Sequence, residues 1–298
     1  LNLGYSDVPR FDLPTDRVWP SNFGDADVCL WEDDKRCAIS LAADDDHAYE
    51  MDWWIDMAET YGFQFTWFHI TKNLEDPNTW GESWAYWLPA YEAGLEQQSH
   101  TVNHYDCKDE YNNYTITDEE FEYEYGYAQL RLNQEFPGNR CLAMSAPHGH
   151  FNPDIMKKYY IVNVGVRGGS EPSNRIDYQN MHCRSRNSFS TTTIDQAINN
   201  RMWMVVKYHA VASLNLTEAE KQERYAAQEA LFQYINARSN DIWMPGVMRC
   251  ALYAQERDTH SLTVTNVTDS SISFELSDLM MDAVFNYPLT VKVRVNAD

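Results

Sequence analysis

The sequence has little positive charge and no long apolar run. Of its 298 residues, 23 are Lys or Arg and 45 are Asp or Glu, which gives a net charge of −22. Nucleic acids and anionic membrane surfaces are bound through Lys and Arg side chains that neutralise phosphates, so we expect neither partner. No stretch approaches 18 uninterrupted apolar residues, and we therefore expect no membrane insertion.

The sequence also lacks C-x-x-C pairs, internal repeats and low-complexity tracts. Its six cysteines are scattered, so a zinc ribbon is not indicated, and both a Cys29–Cys37 disulfide and buried thiols stay open. No signal peptide is visible, but the chain begins at Leu1 rather than Met, which leaves a segment upstream of it open. We expect a secreted or periplasmic protein.

Apolar strands alternate with helices through most of the chain. Hydrophobic residues make up 44% and aromatic residues 14%, which is ample material for a folded core. Strands are predicted at 37–43, 63–70, 95–102, 141–146, 160–166 and 202–208. Most of these strands are apolar throughout, which is typical of a parallel sheet covered on both faces by helices, that is, of an α/β fold.

Two capping boxes mark helix starts, at Thr117 with Glu120 and at Thr217 with Glu220. The segments 261–267, 271–277 and 289–295 alternate apolar and polar residues with no helix between them, which predicts an antiparallel β appendage. We therefore predict an irregular N-terminal segment at 1–36, a catalytic domain at 37–257 and a C-terminal β appendage at 258–298.

Three polar clusters follow predicted strands. Asp44, Asp45 and Asp46 follow the first strand, His100 and His104 lie at the end of the third, and His209 follows the last apolar strand. Each has an ordinary structural explanation: a solvated acidic loop, a chance spacing among nine histidines, and a buried core histidine. Active sites of parallel α/β folds lie at the carboxyl ends of strands, so the shared position favours a functional site.

The spacing of His100 and His104 allows both imidazoles to reach one cation. With Asp44 or Asp45 they would form a His₂Asp site that leaves positions open for water and substrate. Such an open site is typical of catalytic rather than structural metals.

These motifs resemble those of the polysaccharide deacetylases, the NodB-homology carbohydrate esterases, over roughly residues 37–257. The T-F-D-D-G motif of that family corresponds to residues 42–46, and H-[ST]-x-x-H corresponds to residues 100–104. The R-x-P-Y-G motif corresponds to residues 145–149. The L-H motif of the family, which comes later in the chain, corresponds to Tyr208 and His209. The order and spacing agree over more than a hundred residues. The resemblance implies a distorted (β/α) barrel of the NodB-homology type with the short C-terminal antiparallel β appendage.

The resemblance also implies a role for each matching residue. Asp45, His100 and His104 would hold a divalent metal, for which zinc is expected, and the metal would lower the pKa of a water molecule toward ~7. Asp44 would be the general base, the backbone N–H of His148 would stabilise the oxyanion, and His209 would protonate the leaving group. Pro147, Tyr208 and Arg167 are predicted to contact the substrate. The reaction would remove N- or O-linked acetyl groups from an acetylated glycan.

The sequence departs from the family pattern in three places. Ser145 stands where many members carry an Arg that orients the catalytic carboxylate, and we expect Arg167 to supply that guanidinium. Asp46 replaces the glycine after the aspartate pair. The fourth motif, an Asp and a Trp that support the catalytic His, has no clear match, and Asp177 is a candidate for its acid.

Two alternatives to the deacetylase stay open at this point. One is a catalytically weakened, glycan-binding member of the same fold, and the other is a metal-independent glycosidase that uses paired carboxylates. The acidity of the chain further predicts a poor fit to strongly anionic glycans.

Overall fold

The computed structural model describes residues 20–76, 79 and 81–295 of the chain. Its strands are β1 (Ala26–Val28), β2 (Cys37–Ala43), β3 (Phe65–His69), β4 (Glu96–Ser99), β5 (Ala143–Ser145), β6 (Val162–Gly168), β7 (Glu171–Pro172), β8 (Met181–Ser185), β9 (Met202–Tyr208), β10 (Ile242–Trp243), β11 (Ser261–Val267), β12 (Ile272–Ser277) and β13 (Val291–Val293). Its helices are α1 (Met51–Tyr61), α2 (Thr71–Glu75), α3 (Leu88–Glu92), α4 (Asp118–Glu135), α5 (Pro153–Met156), α6 (Thr191–Asn199), α7 (Glu218–Asn236) and α8 (Val247–Thr259).

Seven parallel strands close into a barrel. Their order is β2-β3-β4-β5-β6-β8-β9, and β9 pairs back to β2. The barrel is distorted, because the start of β2 also pairs with β10 and β7 adds an antiparallel contact to β9. This topology confirms the predicted fold class. All seven carboxyl ends lie at one edge, and the loops that follow them carry the motif residues.

Strand β2 is apolar on both faces because both faces are covered. Ile39 and Leu41 belong to the same buried cluster as Trp54 of α1, whereas Ala38 and Ala42 belong to a second cluster that includes much of α8. A parallel strand packed on both sides reads as a continuous apolar run, as this one does.

Helix α8 is almost wholly buried, and its N-terminus is capped from the barrel. The Glu96 carboxylate of β4 accepts hydrogen bonds from the backbone N–H groups of Met248 (2.9 Å) and Arg249 (3.0 Å). Thr66 of β3 accepts the N–H of Val247 at 2.9 Å and donates its own hydroxyl to Glu96. The first backbone donors of a helix have no partner within the helix, and here the barrel supplies partners for three of them.

The C-terminal strands form small antiparallel pairs outside the barrel. β11 pairs with β12, and β13 pairs with β1, which precedes the barrel in the chain. The antiparallel appendage is thus present, and the division into three segments stays a prediction. None of the six cysteines, all of which lie in the described part, forms a disulfide. Within that part we find no helix with the length and apolarity needed to cross a membrane.

Most of the predicted elements exist with shifted ends. The strands predicted at 37–43 and 202–208 have those bounds, and both capping boxes open long helices, α4 and α7. The sequence reading did not identify β8, α6 or α8. Helix α8 was missed because it is buried on nearly every side and therefore carries no simple polar face.

We predict that Gly246→Ala destabilises the protein mainly through Glu96. A Cβ atom at position 246 would lie 2.1–2.5 Å from the Glu96 carboxyl group, so one of the two must move and the helix cap is lost. Glu96→Ala leaves two N–H groups without an acceptor and is expected to cost about 2–4 kcal/mol. In urea unfolding, the double variant should cost clearly less than the sum of the single variants. Additive costs would show that the Glu96 contact is not the cause.

Candidate active site

The barrel brings the polar clusters to one edge. Residues 44–46 follow β2, residues 100–104 follow β4, residues 145–149 span the end of β5 and the turn after it, and His209 follows β9. Because β2 pairs with β9 and β4 pairs with β5, groups far apart in sequence become neighbours there.

Asp45, His100 and His104 are arranged to hold a cation. Oδ1 of Asp45 lies 3.4 Å from Nε2 of His100 and 3.4 Å from Nε2 of His104. The three ligand atoms lie within 4.8 Å of one another. Oδ1 of Asp45 is buried and has no hydrogen-bond partner, which is costly for a carboxylate oxygen unless a ligand satisfies it. The donor set of two imidazoles and one carboxylate suits a catalytic divalent metal.

The ring of His100 is oriented by the backbone of β5. Its Nδ1 lies 2.7 Å from the carbonyl oxygen of Ser145. A carbonyl only accepts, so Nδ1 carries the proton and the lone pair of a neutral ring is on Nε2, facing Asp45. Burial lowers the pKa of His100, but Asp44 and Asp45 raise it by more. A cation must therefore displace a proton there, and its affinity should fall at acid pH.

His104 is neutral at physiological pH. Burial, with a further contribution from the charge of His100, lowers its pKa to about 4. An unprotonated imidazole is the form that binds metals, so His104 needs no deprotonation at neutral pH.

The loop between the two histidines is strained and is held by α4. Thr101 and His104 adopt positive φ angles of 67° and 57°. Oε2 of Glu124 accepts the backbone N–H groups of Val102 (2.9 Å) and Asn103 (2.8 Å). Glu124 is itself buried, so this loop is tied to the protein interior. The hydrogen bonds to Glu124 hold the loop in this left-handed conformation, which places the imidazole of His104 beside that of His100.

The turn after β2 is also left-handed, with φ of 69° at Asp45 and 52° at Asp46. The family places a glycine at position 46, which adopts such angles readily. Here the Asp46 carboxylate is buried and lies 2.7 Å from Nδ1 of His69. It also accepts the N–H of Ile70 at 3.1 Å and the Asn73 amide at 3.3 Å. These contacts hold the turn without a glycine.

The cation beside Asp44 is Lys207, not Arg167. The ammonium of Lys207 lies 3.0 Å from Oδ2 of Asp44 and donates to the Ser145 hydroxyl at 3.1 Å, and that hydroxyl donates to Asp44 at 3.0 Å. The guanidinium of Arg167 pairs instead with Asp177 at 2.7 Å. This corrects the expectation that Arg167 orients Asp44. Lys207 reaches Asp44 from β9, the direct neighbour of β2.

Asp44 is buried but ionised. Burial raises the pKa of its carboxyl group, and the charges of Lys207 and His100 lower it by more, so that it lies below its ordinary value. Oδ1 of Asp44 is buried and has no hydrogen-bond partner. Asp44 therefore offers one unused acceptor atom beside the cation site.

His209 lies on the open side of the cluster. Its Nε2 is 3.4 Å from Oδ2 of Asp45, and its side chain is 65% exposed, which leaves it accessible to a substrate. The next residues, 210–212, are held from two sides. Arg186 donates to the carbonyl oxygens of 210 and 211, and the buried Glu50 accepts the N–H groups of 211 (2.8 Å) and 212 (2.7 Å). The carboxylate near His209 is Asp45, while Asp177 is engaged by Arg167.

Pro147, His148 and Gly149 form a single 3-10 turn after β5. His148 has a φ of 54°, and its ring lies 4.8 Å from that of His104. The backbone N–H of His148 donates no hydrogen bond to the part of the chain that the structure describes. It is thus a spare donor close to the cation site.

Tyr208 does not face the site. Its side chain is fully buried, with its ring 5.0 Å from that of Trp54, so the prediction that it contacts substrate is corrected. Its backbone contributes instead, since its carbonyl accepts the Asp44 N–H at 2.9 Å. Pro147 is also buried and starts the turn that carries His148.

The sequence reading missed Lys207, Glu124 and Arg186. Lys207 had a usable signal, because it is the only charged residue in the otherwise apolar strand β9. Glu124 and Arg186 had none, since their role depends on which loop packs against them.

The comparisons with known proteins agree with these motifs. The family described as polysaccharide deacetylase matches residues 33–167. A gellan lyase from Bacillus sp. is 33% identical over 312 aligned positions, which cover 96% of this chain and 12% of that protein. The chain thus spans about an eighth of the length of this curated relative.

Solved structures with a similar arrangement were also found. The deacetylase PplD of Streptococcus pyogenes is 18% identical, with 52% of this chain and 68% of that chain covered and a TM-score of 0.44. The Xyl-CE4 domain of a multidomain xylanase from the hindgut metagenome of Trinervitermes trinervoides is 16% identical, with 70% and 86% covered and a TM-score of 0.43. Residues 33–167, over which the chain is similar to the polysaccharide deacetylase family, include strands β2 to β5 of the barrel, all but the last residue of β6, and the motif residues from Asp44 to Gly149.

Proposed function

We propose that this chain is a metal-dependent hydrolase that removes acetyl groups from a carbohydrate. The observation that carries the proposal is the buried Oδ1 of Asp45, without a hydrogen-bond partner and 3.4 Å from two imidazole nitrogens. Asp45, His100 and His104 would hold the cation, and zinc fits their two nitrogens and one carboxylate oxygen. When bound, zinc supplies a Lewis acid that lowers the pKa of water and polarises a carbonyl.

Asp44 acts as the general base in this proposal. Lys207 and Ser145 hold one of its oxygens, and the other oxygen has no partner and can accept a proton from the attacking water. A base must be ionised to act, and the ammonium of Lys207 keeps Asp44 ionised despite its burial.

His148 and His209 complete the proposed chemistry. The spare backbone N–H of His148 can donate to the oxygen that becomes negative when water attacks the acetyl carbonyl. His209, exposed beside Asp45, can give a proton to the departing sugar nitrogen or oxygen. The products are acetate and a sugar with a free amine or hydroxyl.

The lost Arg at position 145 is the main reason to consider a weakened family member. Lys207 argues against a weakened enzyme, because its ammonium supplies a cation in contact with Asp44, the proposed base. The gellan lyase that is 33% identical to the chain supports a polysaccharide substrate. We infer that the protein works on glycans outside the cytoplasm, secreted or in a periplasm.

Acetate release from a panel of acetylated oligosaccharides tests the proposal directly. We expect wild-type protein with zinc to release acetate, and a chelator to abolish the release. Asp44→Asn should lower the rate by about 10²–10⁴-fold, because it removes the proton acceptor while keeping the shape of the side chain. Glycan binding without acetate release, or release of reducing ends that a chelator does not affect, would contradict the proposal.

Cation binding can be measured separately by titration calorimetry with zinc. Mutation of a residue that only supports a metal ligand typically weakens metal binding by roughly 10–100-fold. We expect His104→Ala, which removes a ligand, to weaken zinc binding by more than that. His260→Ala, which removes an imidazole at the end of α8, serves as the matched control and should bind zinc as wild type does. Equal zinc affinity in His104→Ala and wild type would exclude His104 as a ligand.

Lys207→Met tests the role of the buried ammonium. Without it, burial is the largest remaining influence on the pKa of Asp44, and burial raises that pKa. The base is then protonated up to a higher pH, so the acid limb of kcat/KM should move upward by about 1–3 pH units. Lys207→Arg should retain most of the wild-type profile, and Lys221→Met, at a partly buried lysine of α7 that pairs with Glu218, should leave it unchanged. An unshifted acid limb in Lys207→Met would show that Lys207 does not control Asp44.

A further inference from the structure

A cleft of about 580 Å³ opens beside the candidate active site. It lies at the carboxyl ends of β6, β8 and β9, and its lining includes Gly168, Gly169, Arg184, Ser185, Lys207 and His209. Lys207 contacts Asp44 and His209 contacts Asp45, so the cleft adjoins the groups assigned to the chemistry. The glycine and serine residues have small side chains, so much of the cleft wall carries no bulky group. It has room for a sugar unit next to the one that carries the acetyl group.

The ionisable side chains of this lining include basic residues and no acidic one, although the protein as a whole is acidic. Arg184, Lys207 and His209 line the cleft, and no Asp or Glu of the described residues does. Two of these groups lie against carboxylates outside the lining, Lys207 against Asp44 and His209 against Asp45. A lining with basic groups and no acidic one has the charge pattern of a site for an anionic ligand.

Arg184 is the cation in this lining that no carboxylate offsets. Its Nε donates to the Ser170 hydroxyl at 3.1 Å, and its terminal nitrogens make no hydrogen bond or ion pair within the described residues. The neighbouring Glu171 carboxylate is engaged by His182 and by the backbone N–H of Asp177. The Arg184 side chain is half-buried, so its charge is partly removed from water without compensation.

We propose that the cleft binds a carboxylate-bearing sugar unit of the glycan and that Arg184 pairs with this carboxylate. A guanidinium presents parallel N–H donors that match the two oxygens of a carboxylate, and such charge-assisted pairs are among the stronger hydrogen bonds. The bond from Nε to Ser170 restrains the plane of the guanidinium. That the ligand is a glycan rests on the proposed function, whereas its negative charge is inferred from the cleft itself.

The net charge of −22 does not prevent this binding. Exposed charges are largely screened beyond roughly 8 Å at physiological ionic strength, so the contact with Arg184 outweighs the distant acidic surface. The expectation from composition, that anionic glycans fit poorly, therefore does not apply to this cleft.

Binding of carboxylated oligosaccharides to the whole chain, with zinc present, tests the inference. The probes are oligosaccharides of differently linked uronic acids, each compared with its own methyl ester, which keeps the shape and removes the charge. We expect wild-type protein to bind at least one acid about 10–100-fold more tightly than its ester. Arg184→Gln should abolish that preference, Arg184→Lys should retain part of it, and Arg131→Gln, a surface arginine of α4, should keep it.

Three results would overturn the inference: equal wild-type binding of every acid and its ester, an unchanged preference in Arg184→Gln, or tighter binding of sulfated than of carboxylated probes. Thermal unfolding of each variant separates a lost contact from a lost fold. Because the measurement is binding, it is independent of turnover. A protein that prefers the acids and releases no acetate would contradict the proposed function and leave the Arg184 assignment supported.

Discussion

Three consecutive aspartates follow the end of β2, and the candidate site depends on a different partner for each of their carboxylates. Like charges this close repel one another and would raise each other's pKa unless they were offset separately. Lys207 holds Asp44, the imidazoles after β4 surround Asp45, and His69 holds Asp46. In the proposed function the three acids take three roles: a proton acceptor, a cation ligand and a brace for the turn.

Half of the ten non-glycine residues with positive φ angles in the described part of the chain lie at this edge of the barrel. Asp45, Asp46, Thr101, His104 and His148 all adopt positive φ angles, and none is a glycine. Such angles are costly for these residues and persist where the surroundings over-determine them. Buried side chains do this by bonding the backbone of the neighbouring loops. The candidate ligand atoms at this edge are thus carried by loops with a strained backbone.

Much of the fold and part of the site could be read from sequence. The apolar runs of β2 and β9 are continuous because both faces are buried, so their bounds were predictable. The grouping of Asp45 with His100 and His104 was predictable because the two histidines lie four residues apart and Asp45 follows a strand. Lys207 was not assigned although it lies within a predicted strand, and Arg184 lies in β8, which was not predicted. A charged residue in a strand says nothing about which residue it will meet across the barrel.

The amino-acid sequence by itself determined the local features: the alternation of strands and helices, the capping boxes of α4 and α7, and the chemical types of the candidate cation ligands. These follow from neighbours a few residues apart, whose periodicity and hydrogen bonding are local. Only the tertiary structure decided that Lys207 rather than Arg167 accompanies Asp44, that Tyr208 is buried, and that a basic cleft lies beside His209. Closure of the barrel places β9 against β2. The energy of a charge pair between these strands depends on the distance between the two charges in space, and the number of residues between them in the sequence does not determine that distance.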